Sequence, residues 1–230
     1  MNLYKFIIGA VLILSCCNPI ASQDFQSVIN DCVDKIINTS NLALKIDVSA
    51  IDSKNQKVLQ RSSFNLYKDE KVLYSEGMGR KTYFDLGRNL VFGVDHNSRL
   101  ATISKLEGDI GSIKASLSSM LGVNSELEDS FKVKTSEKEG LMTFSVFYNE
   151  SLIREFVIDV ESNEFTEATL YQTKAFDIDG NQTVPLLKFK YDYSIDDLDI
   201  SPFQYFTYAD NIWKLKNQID QYKLVDTTNF

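Results

Sequence analysis

The sequence predicts a mainly β protein of the α+β class, with about eleven antiparallel strands and two or three helices. Three observations predict it. Apolar residues recur at alternate positions in one short run after another, clusters of Asn, Asp and Gly separate the runs, and only two stretches switch clearly to helical spacing. Connections of a few residues join antiparallel neighbours, whereas a parallel sheet would need crossovers of roughly a dozen residues or more.

The chain opens with a segment of a different kind. Met1 to Lys5 carries one positive charge, and Phe6 to Cys17 is an uncharged apolar run that Asn18 and Pro19 end short of the roughly 20 residues a spanning helix needs. This reads as a signal peptide, residues 1–22, followed by a single domain over 23–230. Two processing readings compete. In one, Ile20 and Ser22 flank a cleavage site that leaves Gln23 at the new terminus; in the other, Ile13-Leu14-Ser15-Cys16 is a lipoprotein box and Cys16 is lipidated. Cleavage after Ser22 is favoured, because the small-residue site lies at the proper distance past the apolar run. It leaves Cys32 as the sole cysteine, so no internal disulfide can form and the core alone must hold the fold. That suits a bacterial periplasm. The Asn-x-Ser/Thr triplets at Asn38, Asn149 and Asn181 would matter only in a eukaryotic secretory pathway.

Between Asp24 and Asn38, the residues Phe25, Val28, Ile29, Cys32, Val33, Ile36 and Ile37 fall on one face of a helix. Leu42, Leu44, Ile46 and Val48 then alternate with polar or small residues, as in a strand with one buried face. Further strands are expected at 57–67, 72–75, 81–86, 90–94 and 99–104. Helical spacing returns at Ile110, Ile113, Leu117, Met120 and Leu121, which places a second helix over Asp109 to Leu121. Strands are expected again at 131–135, 141–148, 152–160, 164–176 and 184–193. The aromatic-rich tail from about residue 200, with the single Trp213, reads as irregular wrapping with one short helix near Asn211 to Gln218.

Composition excludes some functions. The hydrophobic fraction of 43% and charged fraction of 24% are those of an ordinary globular protein, and a net charge of −8 argues against nucleic acid as a partner. His96, the only histidine, sits in an expected turn beside Asp95 with no nucleophile motif nearby, and it cannot join Cys32 in a usual zinc set. Gly77-Met78-Gly79-Arg80-Lys81-Thr82 lacks the spacing of a phosphate loop and precedes a strand. Asp177-Ile178-Asp179-Gly180 begins like a calcium loop but lacks the terminal glutamate, and Asp196, Asp197 and Asp199 read as a solvated edge. Paired carboxylates for hydrolysis are untestable among 32 acids. The expectation is a non-enzyme without metal or cofactor.

What remains is apolar. Phe144 and Val146 face one way and Phe147 the other; Phe156 and Ile158 oppose Ile153 and Val157; Leu186 opposes Leu187, Phe189 and Tyr191. A sheet with one wet face needs only one apolar face, so the excess implies curvature around either a packed interior or an apolar cavity.

Asp85-Leu86-Gly87-Arg88-Asn89-Leu90-Val91-Phe92 resembles the Asp-Gly-Lys-x-Leu-Trp-x-Tyr hairpin of periplasmic outer-membrane lipoprotein carriers, the LolA/LolB-like superfamily. Val157-Ile158-Asp159, the strand from Glu164 to Phe176 and Asp179-Gly180-Asn181-Gln182-Thr183 are similar to their late strand pair. The resemblance covers roughly Asp24 to Tyr193. It implies an unclosed half-barrel, a curved sheet whose concave face is covered by helices, binding lipid or lipoprotein acyl chains. Lining residues would be Leu44, Ile46, Phe64, Leu66, Phe92, Phe156, Ile158 and Phe189. The carriers latch the lid with the arginine of an Arg-Pro pair, where this chain reads Lys68-Asp69-Glu70; Arg61 and Arg154 are the candidate substitutes. Expected partners are an acylated lipoprotein or lipid and a membrane-associated protein, with the chain itself a monomer. The rival expectation is an outer-membrane-associated interaction lipoprotein filled by its own side chains.

Overall fold

Turn chemistry sets the strand order. In the computed structural model, which describes residues 21–106, 131–172, 176–178, 181–195 and 200–228, four hairpins close through two residues that both take positive φ: Met78-Gly79, Glu139-Gly140, Asn149-Glu150 and Asp210-Asn211. That geometry matches the right-handed twist of the flanking strands. Three further connections use a different device, a four-residue loop whose preceding aspartate accepts backbone N–H groups. Asp85 accepts from Arg88 at 2.9 Å, Asp95 from Asn97 and Ser98 at 2.9 and 3.1 Å, and Asp159 from Glu161 and Ser162 at 2.9 and 3.0 Å. Asn89, Arg99 and Asn163 end these loops with positive φ.

The strands are β1 (Leu42–Asp52), β2 (Val58–Lys68), β3 (Val72–Gly77), β4 (Arg80–Asp85), β5 (Leu90–Asp95), β6 (Leu100–Lys105), β7 (Phe131–Lys138), β8 (Leu141–Tyr148), β9 (Ser151–Asp159) and β10 (Glu164–Tyr171), followed by β11 (Phe176–Ile178), β12 (Asn181–Thr183), β13 (Pro185–Ile195), β14 (Phe206–Ala209), β15 (Ile212–Leu215) and β16 (Lys223–Asp226). Twelve of them form one unclosed sheet in the order β16-β6-β5-β4-β3-β2-β1-β13-β10-β9-β8-β7. All eleven expected strands lie in it, and the twelfth, β16, comes from the tail.

The tail corrects the expectation in two ways. Where a short helix near Asn211 to Gln218 was expected, Asp210-Asn211 turns β14 back on β15, and β16 pairs parallel to β6, so the sheet has twelve strands and is not wholly antiparallel. A 3-10 turn over Pro202–Gln204, capped by the Ser201 side chain, introduces this segment. The expected strand over 164–176 also stops at Tyr171, and β11 begins at Phe176. One α-helix, α1 (Ala21–Asn38), is present among the described residues, against the two or three expected. The helix expected over Asp109 to Leu121 lies outside the described residues, as do Cys16 and most of the proposed signal peptide. No helix among the described residues is long and apolar enough to cross a membrane.

The chain divides into two units, one of Met1–Asn38, Asp47–Arg61 and Asp109–Tyr191, the other of Thr39–Ile46, Ser62–Gly108 and Asp192–Phe230. In the first, α1 buries Phe25, Ile29, Cys32, Val33 and Ile36 and packs against β7 and β10. Lys35, in its last turn, donates to the Ser162 carbonyl at 2.5 Å and to Glu164 at 2.7 Å, tying the helix end to the β9–β10 loop. In the second unit, Tyr74, Tyr83, Phe92, Val94, Ala101 and Ile103 form a core with Tyr205, Phe206 and Ile219 of the tail.

Candidate functional site

Period-two geometry puts one apolar face on β7 to β10 and β13 of the first unit. Thr135, Phe144, Phe156, Ala168 and Phe189 follow one another across these strands as direct partners. The next row is Val133, Val146, Arg154, Leu170 and Leu187, and on the other side Met142, Ile158 and Phe165 are partners. Every named residue on β9, β10 and β13 in these rows is buried. Phe25 of α1 rests on this face, its ring 5.2 Å from Phe144 and 5.8 Å from Phe156 between centroids. The Lys35 end of α1 is fixed near the Ile158 row and Phe25 lies over the Phe156 row.

Arg154 sits in the row beyond. It is 7% exposed, its direct neighbours are Val146 and Leu170, and its guanidinium has no hydrogen-bond or ion-pair partner among the described residues. Burial alone lowers its pKa. The other deeply buried charge among the described residues behaves differently: Asp85, 1% exposed, accepts from the Arg88 backbone and from its guanidinium at 2.8 Å. A β-bulge lies beside Arg154, since the β8–β9 register passes from Val146 opposite Arg154 to Phe147 opposite Leu152, skipping Ile153. Bulges of this kind re-aim neighbouring side chains and concentrate next to functional sites.

Of the expected lining residues, Phe156, Ile158 and Phe189 therefore share the face of the first unit. Leu44, Ile46 and Leu66 are buried in the second unit. Phe64 is half-buried there and lies on Gly77 directly across from it, where a Cβ would collide with its ring. Phe92 is enclosed by rings of its own chain, with Phe206 and Trp213 both at 5.1 Å and Phe203 at 6.2 Å. The tail is held down by Gln204, which donates to the Tyr83 hydroxyl at 2.8 Å, and by Lys81, which donates to the Tyr205 hydroxyl at 3.0 Å. Of the two latch candidates, Arg61 is exposed on β2 and Arg154 is buried.

The remaining described sequence candidates sit in turns or in the core. His96 is exposed in the β5–β6 loop with its Nδ1 2.9 Å from the Tyr222 hydroxyl. Gly79 occupies the β3–β4 turn with φ of 77°. Cys32 is buried against the sheet, and burial first, with Asp31 next, pushes its thiol up to about 12. Asp179, Gly180 and the acids Asp196, Asp197 and Asp199 lie outside the described residues.

Phe25, Phe144 and Val146 belong to the site although the sequence reading placed them only as helix stripe and sheet face. Parity was the available signal for Arg154: it stands two positions before Phe156 and four before Ile158, hence on their side of β9.

No protein-family model matches the chain, and no curated protein matches it. Solved structures are similar to it. An uncharacterized conserved protein from Thermus thermophilus aligns over 88% of this chain and 99% of its own at 9% identity and a TM-score of 0.43. A LolA superfamily protein from Nitrosomonas europaea aligns over 75% and 94% at 8% identity and a TM-score of 0.30, and a DUF1329 family protein from Desulfovibrio piger over 76% and 94% at 14% and 0.28. A LolA superfamily member is thus among the solved structures to which this chain is similar. At these scores the likenesses say nothing about activity, which has to be read from the residues.

Proposed function

We propose that this protein is a non-enzymatic, exported binder of lipid or lipoprotein acyl chains, with the hydrocarbon held on the apolar face of the first unit. The observation that carries the reading is that face itself: Phe144, Phe156, Phe189, Val146, Leu187 and Ile158 form a continuous apolar surface, with one amphipathic helix resting on it through Phe25. Each CH₂ taken from water by such a surface contributes about 0.8 kcal/mol, so a long chain can be held without any directional contact. Helix α1 is the movable cover in this reading, tethered by Lys35 at one end. The LolA-like resemblance supports a periplasmic location, and Cys16 offers a membrane tether if the lipoprotein box is used.

A second reading, an outer-membrane-associated interaction lipoprotein with a self-filled core, is favoured by the second unit. There Phe203, Phe206 and Trp213 occupy the surroundings of Phe92 that a ligand would otherwise fill. Native mass spectrometry of the purified mature protein separates the two. Co-purified lipid is expected, and a clean apo mass from cells grown with lipid available favours the interaction lipoprotein. Incorporation of labelled fatty acid that disappears in Cys16→Ser would establish the tether.

A further inference from the structure

A cation buried among aliphatic and aromatic side chains is expensive unless an anion meets it. Arg154 is such a cation: buried, flanked by Val146 and Leu170 on the neighbouring strands and by Phe156 two positions along, next to the bulge at Ile153, and without an acidic partner among the described residues. Asp85 shows that the same chain neutralises a buried charge where it serves only the fold. We infer that Arg154 is the headgroup site of a single-chain anionic amphiphile, receiving the carboxylate of a long-chain fatty acid while its tail runs along the Phe156 and Ile158 rows. This inference rests on the acyl-binding reading and adds to it the charge and class of the ligand.

The chemistry favours a terminal carboxylate. Guanidinium presents a planar fork that meets a carboxylate through two parallel N–H···O bonds. A carboxylate is also small and ends its chain, so it can be enclosed beside a buried arginine, whereas a phosphodiester carries a substituent on both sides. Arg154 and Ile158 are four residues apart on one strand, about 13 Å of extended chain, so head and tail can occupy the same face at once.

Displacement of N-phenylnaphthylamine, a neutral apolar dye, from the wild-type protein tests this with dodecanoate, dodecanol and acetate at neutral pH. Dodecanoate is expected to displace the dye at a concentration at least about tenfold lower than dodecanol, the worth of a charge-assisted pair, and acetate is expected to leave it bound. In Arg154→Met the preference for the acid over the alcohol should vanish, and Arg154→Lys should retain part of it. Equal displacement by acid and alcohol in the wild type overturns the anionic headgroup and leaves acyl binding standing. Displacement by acetate as effective as by dodecanoate overturns the amphiphile in favour of a small-anion site. No displacement by either dodecyl compound overturns both readings. Should Arg154→Met fail to fold, the wild-type ratio of acid to alcohol decides alone.

Discussion

Asp85, Asp95 and Asp159 each close a loop by accepting backbone N–H groups, while Arg154 lies buried with nothing described to meet it, and that contrast separates residues serving the fold from one that strains it. Arg154→Met should therefore stabilise the ligand-free protein by about 1 to 3 kcal/mol, seen as a rise of several degrees in Tm, because an apolar group of similar length replaces an unpaired charge. Unchanged or lower stability would mean that the guanidinium is already compensated. For Asp95, burial pushes the pKa up, but hydrogen bonds from Ser98, Arg80 and Asn97 outweigh it and the net shift is downward. A carboxylate held below its ordinary value contributes stability above about pH 4, and this is lost as pH falls through the folded-state value. Asp95→Asn should thus be less stable than wild type at neutral pH, with the gap closing in urea titrations at progressively lower pH.

At the scale of elements, α1 is joined to the first unit by its apolar stripe and by the Lys35 tie, and its Cys32 reports whether it stays down. A buried thiol pushed up to about 12 is protonated at neutral pH and should resist iodoacetamide in the native mature chain. Phe25→Ala removes the ring that rests on Phe144 and Phe156, a loss of about 3 to 5 kcal/mol, and should raise the labelling rate of Cys32 measured by mass spectrometry. An unchanged rate would show that Phe25 does not hold the helix.

At the scale of the whole molecule, the core of the second unit depends on a segment that reads as loose wrapping in sequence. Tyr205, Phe206 and Ile219 are buried in that core, and β16 pairs with β6 and forms the edge of the sheet. A chain ending at Ile195 should lose at least about 3 to 5 kcal/mol, the cost of deleting one large core aromatic, and should bind a hydrophobic dye around the uncovered Phe92. A truncated chain with wild-type Tm and no added dye binding would count against this role for the tail.

How much of this was legible depends on the range of the interaction that carries it. Alternation marked the eleven strands and the 3.6-residue period marked α1, since each signal is written in neighbouring residues of one segment. Parity also placed Arg154 on the side of Phe156 and Ile158. Tertiary structure alone decided that Arg154 is buried and Arg61 exposed, because alternation says which side of a strand a residue takes and not whether that side is covered. It alone turned the tail into strands, since the parallel partner of β16 lies more than a hundred residues away and aromatic rings spaced for a shared cluster show no periodicity of their own. Hydrogen-bonding period is a local property of the chain and can be read from it; which charge is buried is a property of the packed whole.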